Sequence, residues 1–260
     1  MKKHLVQLVI NPLTVIYIAL SLFLGRFSFV VGLFIITIIH ELFHMFSALI
    51  FRIPTSKITI SPLGCYANID ELEDAKRYEQ IIVLLAGPLS YFFSSAIITF
   101  LYRYDFISIY RYEELFDTNL LVMFFNLLPI EPLDGGKILK IIFSSMLDEK
   151  NSIKINSIFG FIFGLFTIYY LWKVRQYLFA IFILCYIITN IFNQKRKYRQ
   201  YLYHRLISNI GQSLPIKINT SNKFYRFANN YYLSNSQIIS ERKYLNILLK
   251  NTKHHGFLQK

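Results

Sequence analysis

The 260-residue sequence predicts an α-helical polytopic membrane protein. About six transmembrane helices are expected, with a short β-hairpin at their cytoplasmic mouth and a small α/β-type cytoplasmic module at the carboxy-terminus. Three observations carry this fold class. The chain is 54% apolar with a mean hydropathy of +0.40, and only 17% of it is charged. A soluble domain carries roughly 25% charge, so this composition excludes a disordered chain and disfavours an ordinary soluble enzyme. The apolar residues are also gathered into runs near the length of about 20 residues that a helix needs to cross a bilayer. Finally, the net charge of +13 is concentrated at one end. Residues 1–194 carry 15 Lys and Arg against 14 Asp and Glu, whereas residues 195–260 carry 13 against the single acid Glu241. A nearly neutral membrane-embedded domain, 1–194, is therefore expected to bear a basic cytoplasmic tail, 195–260.

The predicted spans are Leu5–Leu24, Phe27–Phe51, Ile81–Leu101, Leu115–Ile130, Ile155–Leu171 and Tyr177–Phe192. The first is too long, and lacks the small-residue cleavage site, to be a secretory signal. The fourth is short and ends in a Pro-rich stretch, the kind of interruption that membrane proteins place where backbone lines a cavity. Basic residues mark the cytoplasmic loops. Lys2 and Lys3, then Arg52, Lys57, Lys76 and Arg77, then Lys137, Lys140, Lys150 and Lys154 fall on one side with the tail. Arg26, Arg103, Arg111, Lys173 and Arg175 fall on the other. Both termini are thus expected in the cytoplasm, with Tyr169, Tyr170, Trp172 and Tyr177 as an interfacial belt around the last outer loop. Between the second and third spans, the alternating β-branched residues of Lys57–Ser61 precede Pro62-Leu63-Gly64 and read as a hairpin. Glu71–Glu79 reads as a solvated helical turn. Cys65 and Cys185 read as separate small hydrophobes rather than a disulfide or a metal pair.

The second span contains His40-Glu41-Leu42-Phe43-His44. Histidines at i and i+4 share one helix face and can share one Zn²⁺, with the intervening glutamate reaching water rather than the metal. Three ionisable groups in the middle of an apolar span need a strong compensating interaction, and a metal supplies one. Glu71 and Glu73 are available as a third ligand but lie in a polar segment. Asp134 is the better candidate: it lies in Asn126-Leu-Leu-Pro129-Ile-Glu131-Pro132-Leu-Asp134-Gly135-Gly136, where the prolines stop a helix and the glycines permit a close turn.

His40-Glu41-x-x-His44 within a span, followed some ninety residues later by Asn126-x-x-Pro129-x-x-Pro132-x-Asp134-Gly135, resembles the site-2 protease family of intramembrane zinc metalloproteases. The Pro62-Leu63-Gly64 hairpin, Ala86-Gly87-Pro88 in the third span and the six-span layout agree, over roughly residues 1–194. The chain departs from the family pattern at Phe43 and Cys65, where glycine is common, and at Glu131, an extra carboxylate between the prolines. The resemblance implies one zinc ion held by His40, His44 and Asp134, Glu41 as the catalytic general base, and Asn126 beside the substrate backbone. An unwound substrate is expected to pair as a strand along Ile58–Ile60.

Within that family the resemblance is to the sporulation branch. It implies a membrane-associated sigma-factor precursor of the pro-sigma-K type as substrate, inhibitory membrane partners, and a bacterial location in the mother-cell membrane around the forespore. It also implies a degenerate or truncated CBS-like module in the tail. Ser213–Ile218 reads as a strand start, and Asn222–Tyr232 and Glu241–Leu249 as helical patches; ATP binding there lacks a clear sequence signature. Lys195, Arg196, Lys197 and Arg199 follow the last span and are expected to meet anionic lipid. Nucleic acid is not expected, since no recognised motif accompanies the charge. His254 and His255 read as solvated. The rival reading is a zinc-binding membrane protein without proteolysis, either a regulatory partner or a metal transporter.

Overall fold

Long apolar runs bounded by polar turns become the long helices of the structure. The computed structural model describes residues 7–10, 12–23, 25, 27–61, 64–69, 72–173, 175, 177–207, 214–220, 222–234 and 237–253. Glu71, Pro62, Leu63, His254 and His255 lie outside the described residues, as does the side chain of Cys65. The chain divides into two compact units, residues 1–128 with 133–138, and residues 129–132 with 139–260.

The first unit begins with β1 (Gln7–Ile10), α1 (Pro12–Phe23) and α2 (Phe27–Ile50). The expected Leu5–Leu24 helix is therefore corrected: Gln7–Ile10 is a strand, and the helix starts at Pro12, where a fixed φ and a missing N–H cost nothing. α2 ends where Arg52 takes a left-handed φ of 58°, and Ile53 N–H closes back onto the Ala48 carbonyl at 2.9 Å. Next come β2 (Thr55–Ser61) and β3 (Gly64–Ile69). β1 pairs parallel with β2 from Gln7↔Lys57 to Ile10↔Ile60, with α1 and α2 as the crossover that a parallel pair requires. β3 pairs antiparallel on the other side of β2. Ile58–Ile60 is thus not an available edge, because β2 is the central strand and both its ladders are taken.

A 3-10 turn at Leu72–Asp74 leads to α3 (Arg77–Arg103), tied together by buried Gln80, whose amide donates to the Glu73 and Ala75 carbonyls. α4 (Ile109–Leu127) starts six residues before its apolar run, because Ser108 caps the N–H of Arg111. It stops ahead of Pro129 and Pro132. Asn119 of α4 donates to the Tyr91 carbonyl and to Ser95 on α3, both at 3.0 Å. α5 (Asp134–Met146) begins in this unit.

The second unit holds the rest of α5, then α6 (Glu149–Lys173), α7 (Tyr177–Phe192) and α8 (Gln194–Ile207). Among the described residues α2, α3 and α6 are long and apolar enough to cross a membrane, and Thr14–Phe23 and Ala180–Phe192 are shorter apolar helices. Their outward residues are large and apolar, with Phe46 and Leu49 of α2, Phe92 of α3 and Phe166 of α6 all exposed. The basic run after α7 forms the first turn of α8. Lys195 and Arg196 are exposed, whereas Lys197 is bonded to the Glu131 carboxylate and to Asn190.

The carboxy-terminal module is a small sheet, β4 (Ile216–Asn219), β5 (Asn229–Ser234) and β6 (Gln237–Ser240), followed by α9 (Glu241–Lys253). β4 runs parallel to β5, and β6 antiparallel to it. The helical patch expected over Asn222–Tyr232 is corrected to a coil and β5. Burial alternates there, with Asn230 and Tyr232 inside and Leu233 outside, which is the period of a strand. Tyr201 of α8, Phe224, Tyr232, Ile239 and Leu245 form the core, and the Tyr232 and Tyr244 rings stack at 3.9 Å. Burial and the nearby acids Asp148 and Glu149 push the Tyr198 hydroxyl up to about 12, so it stays neutral.

Arg205 grips Glu241 with two hydrogen bonds of 2.9 and 2.6 Å, and Asn230 adds a third at 3.0 Å. Both charged side chains are nearly buried. Glu241→Ala strands the guanidinium and should destabilise the module by about 3 kcal/mol. The urea dependence of tryptic cleavage within residues 208–260 reads this directly; an unchanged midpoint would show that the pair contributes nothing.

Candidate metal centre

α2 places His40 and His44 one helical turn apart, on the face turned to α3. Both are buried, as is Asp134. Asp134 opens α5, the first helix after the Pro129–Pro132 break, so that a residue ninety positions beyond the histidines arrives beside them. Its Oδ2 lies 3.1 Å from His40 Nε2 and 3.0 Å from His44 Nε2, and the two nitrogens are 3.1 Å apart. Glu41 also offers a carboxylate oxygen within 4.8 Å of the histidine nitrogens. One residue from His40, it points about 100° round the helix. Asp134 therefore closes the triangle and Glu41 stands beside it.

The histidine tautomer follows from the second contact of His44. Its Nδ1 donates to the Val83 carbonyl of α3 at 2.7 Å, leaving Nε2 of the neutral ring as a lone pair. That lone pair faces another imidazole nitrogen and a carboxylate oxygen. Atoms gathered at these distances can be bridged by a shared proton or by a metal cation. Ligands around a tetrahedral Zn²⁺, with bonds of about 2.0–2.2 Å, stand about 3.3–3.6 Å from one another, so this donor set fits the ion with a few tenths of an ångström of opening.

The approach of α3 depends on Gly87. A Cβ there would lie 2.2 Å from His44 Nε2 and 2.7 Å from His40 Nε2, so any side chain would occupy the centre itself. Gly135 does the same for α5. A Cβ on it would meet the Leu127 carbonyl at 2.1 Å, and only glycine lets Asp134 start a helix so close to the end of α4. Lys137, one turn further along α5, places its Nζ 3.2 Å from Asp134 Oδ1, which leaves Oδ2 for the histidines.

The structure thus brings together His40, Glu41, His44 and Asp134. Asn126, in the last turn of α4, donates its amide to the Val122 carbonyl four residues back at 3.0 Å, a bond within its own helix. Gly87 and Lys137 are absent from the sequence-level site. A glycine inside an apolar span was the signal for the first, and the i,i+3 spacing from Asp134 for the second. Phe43, where glycine is common in the resembled family, packs its ring against Phe93 of α3 at 5.5 Å.

Peptidase family M50 matches residues 28–111 and 105–171, more than half of the chain and including all four residues of the centre. Stage IV sporulation protein FB of Bacillus subtilis (strain 168) is 26% identical over 225 residues, covering 83% of this chain and 78% of that protein. A zinc metalloprotease of Methanocaldococcus jannaschii is 30% identical over 131 residues, covering 49% of this chain and 38% of that protein. The solved site-2 protease from Methanocaldococcus jannaschii shares the fold, with a TM-score of 0.56 at 22% identity, over 75% of this chain and 93% of that one.

Gly87→Ala tests the geometry. The added methyl group must push the imidazoles apart, and zinc affinity, read by competition with a chromogenic chelator, should fall at least about tenfold, the loss typical of disturbed ligand orientation. Wild-type affinity in that competition would mean that α3 does not need glycine there.

Proposed function

The chain belongs to peptidase family M50, and from that premise we propose how its residues divide the work of an intramembrane zinc metallopeptidase. The observation that carries the proposal is the triangle of His40, His44 and Asp134 with the Glu41 carboxylate beside it. His40, His44 and Asp134 hold one zinc ion. A zinc ion held there would polarise the scissile carbonyl and acidify water. Glu41 takes a proton from the attacking water and returns it to the leaving amide nitrogen. A glutamate in that position favours hydrolysis over metal binding alone or metal transport.

Val83 and Lys137 hold the ligands in register, the first through the His44 Nδ1 proton and the second through the far oxygen of Asp134. Asn126 accepts a substrate N–H with its carboxamide oxygen, its nitrogen being engaged with Val122. A substrate helix hides its carbonyls and must unwind to be cut. Since β2 is covered on both sides, the extended stretch adds to β1 or β3.

The proposed setting is a bacterial membrane protein of six spans in residues 1–194, with both termini in the cytoplasm. The excess of Lys and Arg in alternate loops supports that orientation. Residues 195–260 form a basic docking module. The relationship to stage IV sporulation protein FB supports a membrane-associated sigma-factor precursor as substrate, cut near the cytoplasmic face of the mother-cell membrane.

Co-expression with such precursors should give a shortened product with the wild type and none with Glu41→Gln, although Glu41→Gln keeps its zinc. Undiminished cleavage by Glu41→Gln would sink the mechanism. Asp134→Asn should lose both zinc and cleavage, while Glu73→Gln should keep both. Zinc retained by Asp134→Asn would remove it from the ligand set.

A further inference from the structure

A second buried cluster of charge lies in the unit that holds α6, α7 and the carboxy-terminal module. Glu149, the first residue of α6, is 0% exposed, and among the described residues neither of its carboxylate oxygens has a hydrogen-bond partner. Cations approach it from two elements. Lys140 of α5 brings its Nζ to 3.8 Å, and Arg226, in the coil before β5, brings a guanidinium nitrogen to 3.6 Å. These distances allow charge compensation but are too long for hydrogen bonds. The Glu149 backbone N–H donates to the Phe224 carbonyl at 2.8 Å, so the start of α6 is tied to the same coil twice.

Lys140 also reaches the other way. Its Nζ is 3.8 Å from one Glu131 oxygen, and Lys197 of α8 bonds the other. Asn190 of α7 donates to the Glu131 backbone carbonyl. Ser152 of α6 bonds Ser144 at 2.8 Å and the Lys140 carbonyl at 3.3 Å, locking α5 to α6. The result is a chain of alternating sign, Arg226–Glu149–Lys140–Glu131, running from the carboxy-terminal module to the Pro129–Pro132 segment.

A buried carboxylate without hydrogen bonds adds little to stability, and apolar residues of the same volume would hold the fold at least as well. Such a chain is sensitive instead: losing one member leaves its neighbour uncompensated. Its far end is also placed with consequence. Glu131 precedes Asp134 by three residues and Lys140 follows it by six, so the short segment carrying Asp134 is anchored on both sides by members of the chain.

We propose that Glu131, Lys140, Glu149 and Arg226 are positioning residues that couple the carboxy-terminal module to Asp134, so that the module sets how firmly the third ligand is held. This rests on the reading of Asp134 as a zinc ligand. Disturbing the module then loosens zinc and slows turnover without touching the substrate contacts.

The test compares full-length wild type, Glu131→Gln, Arg226→Met, the double variant and Arg226→Lys. Zinc release to a chromogenic chelator and the kcat and KM for cleavage are followed. Each single neutral variant should release zinc about tenfold faster and lose about tenfold in kcat at unchanged KM, a change in the range of ordinary intersite coupling. The double variant should be no worse than either single, because both break one chain, and Arg226→Lys should restore near wild-type release. Wild-type zinc release by Arg226→Met, additive effects in the double variant, or a rise in KM alone would overturn the coupling. The last would make the module a docking element only. If Arg226→Met does not fold, Lys140→Met removes the middle member from outside the module, and the same release rate decides. Asp134→Asn separates the two readings. Zinc kept by Asp134→Asn defeats the ligand assignment, whereas zinc lost there with unaltered release by Arg226→Met defeats the coupling alone.

Discussion

Two imidazole nitrogens and a carboxylate oxygen, each within 3.1 Å of the others in an apolar surrounding, form the constraint on which the first unit depends. Without a metal such a cluster is held by shared protons; a divalent cation bound there would make it a strong link among chain segments far apart in sequence. Several features that would otherwise weaken a membrane protein make sense as its supports. A glycine interrupts the packing surface of α3 because nothing larger fits against the histidines. α4 ends within the apolar run because Asp134 has to open a new helix beside them. The Val83 carbonyl accepts the one proton that would otherwise point the wrong lone pair at the centre.

Three carboxamide side chains of the apolar helices donate to backbone carbonyls outside their own helix. Asn119 serves Tyr91, Gln80 serves Ala75 and Glu73, and Asn190 serves Glu131. In lipid an unpaired carbonyl costs several kcal/mol, so every irregular stretch needs donors brought to it by side chains. This explains why the Pro129–Pro132 break is tolerated. Its exposed backbone is met by Asn190, and the one carboxylate it introduces is met by Lys140 and Lys197.

Much of this was legible in the sequence where physics is local. The i, i+4 histidines share one helix face, and two prolines followed by two glycines announce a stopped helix and a close turn, though not the helix α5 that begins at Asp134. The length of α2, α3 and α6 follows from apolar run length. Less legible was anything set by tertiary pairing. Leu5–Leu24 is as apolar as a span throughout, yet Gln7–Ile10 pairs with Lys57–Ile60, a choice made by a strand fifty residues away. That same pairing turns Ile58–Ile60 from an edge into a centre. Asn222–Tyr232 carries helix-compatible residues, but the inward Asn230 and Tyr232 are fixed by what they bond, Tyr225 and Glu241 for the first and Lys223 for the second. Gly87 stood in plain view, but a glycine in a span announces close approach without naming the partner.

The charge distribution acquires a different meaning once its partners are known. Composition divides the chain at residue 194 into a neutral body and a tail of excess basicity. Yet three of the tail's cations are not surface charge: Arg205 is spent on Glu241, Arg226 on Glu149, and Lys197 on Glu131. Two of those three acids belong to the body, so the electrostatics run across the point where composition draws a boundary. An isolated tail would lose the partners of Arg226 and Lys197, and an isolated body would leave Glu149 without the Arg226 guanidinium. Neither half is electrostatically complete. The basic excess that looks like an appendage is in part the counter-charge of the segment from which Asp134 is delivered.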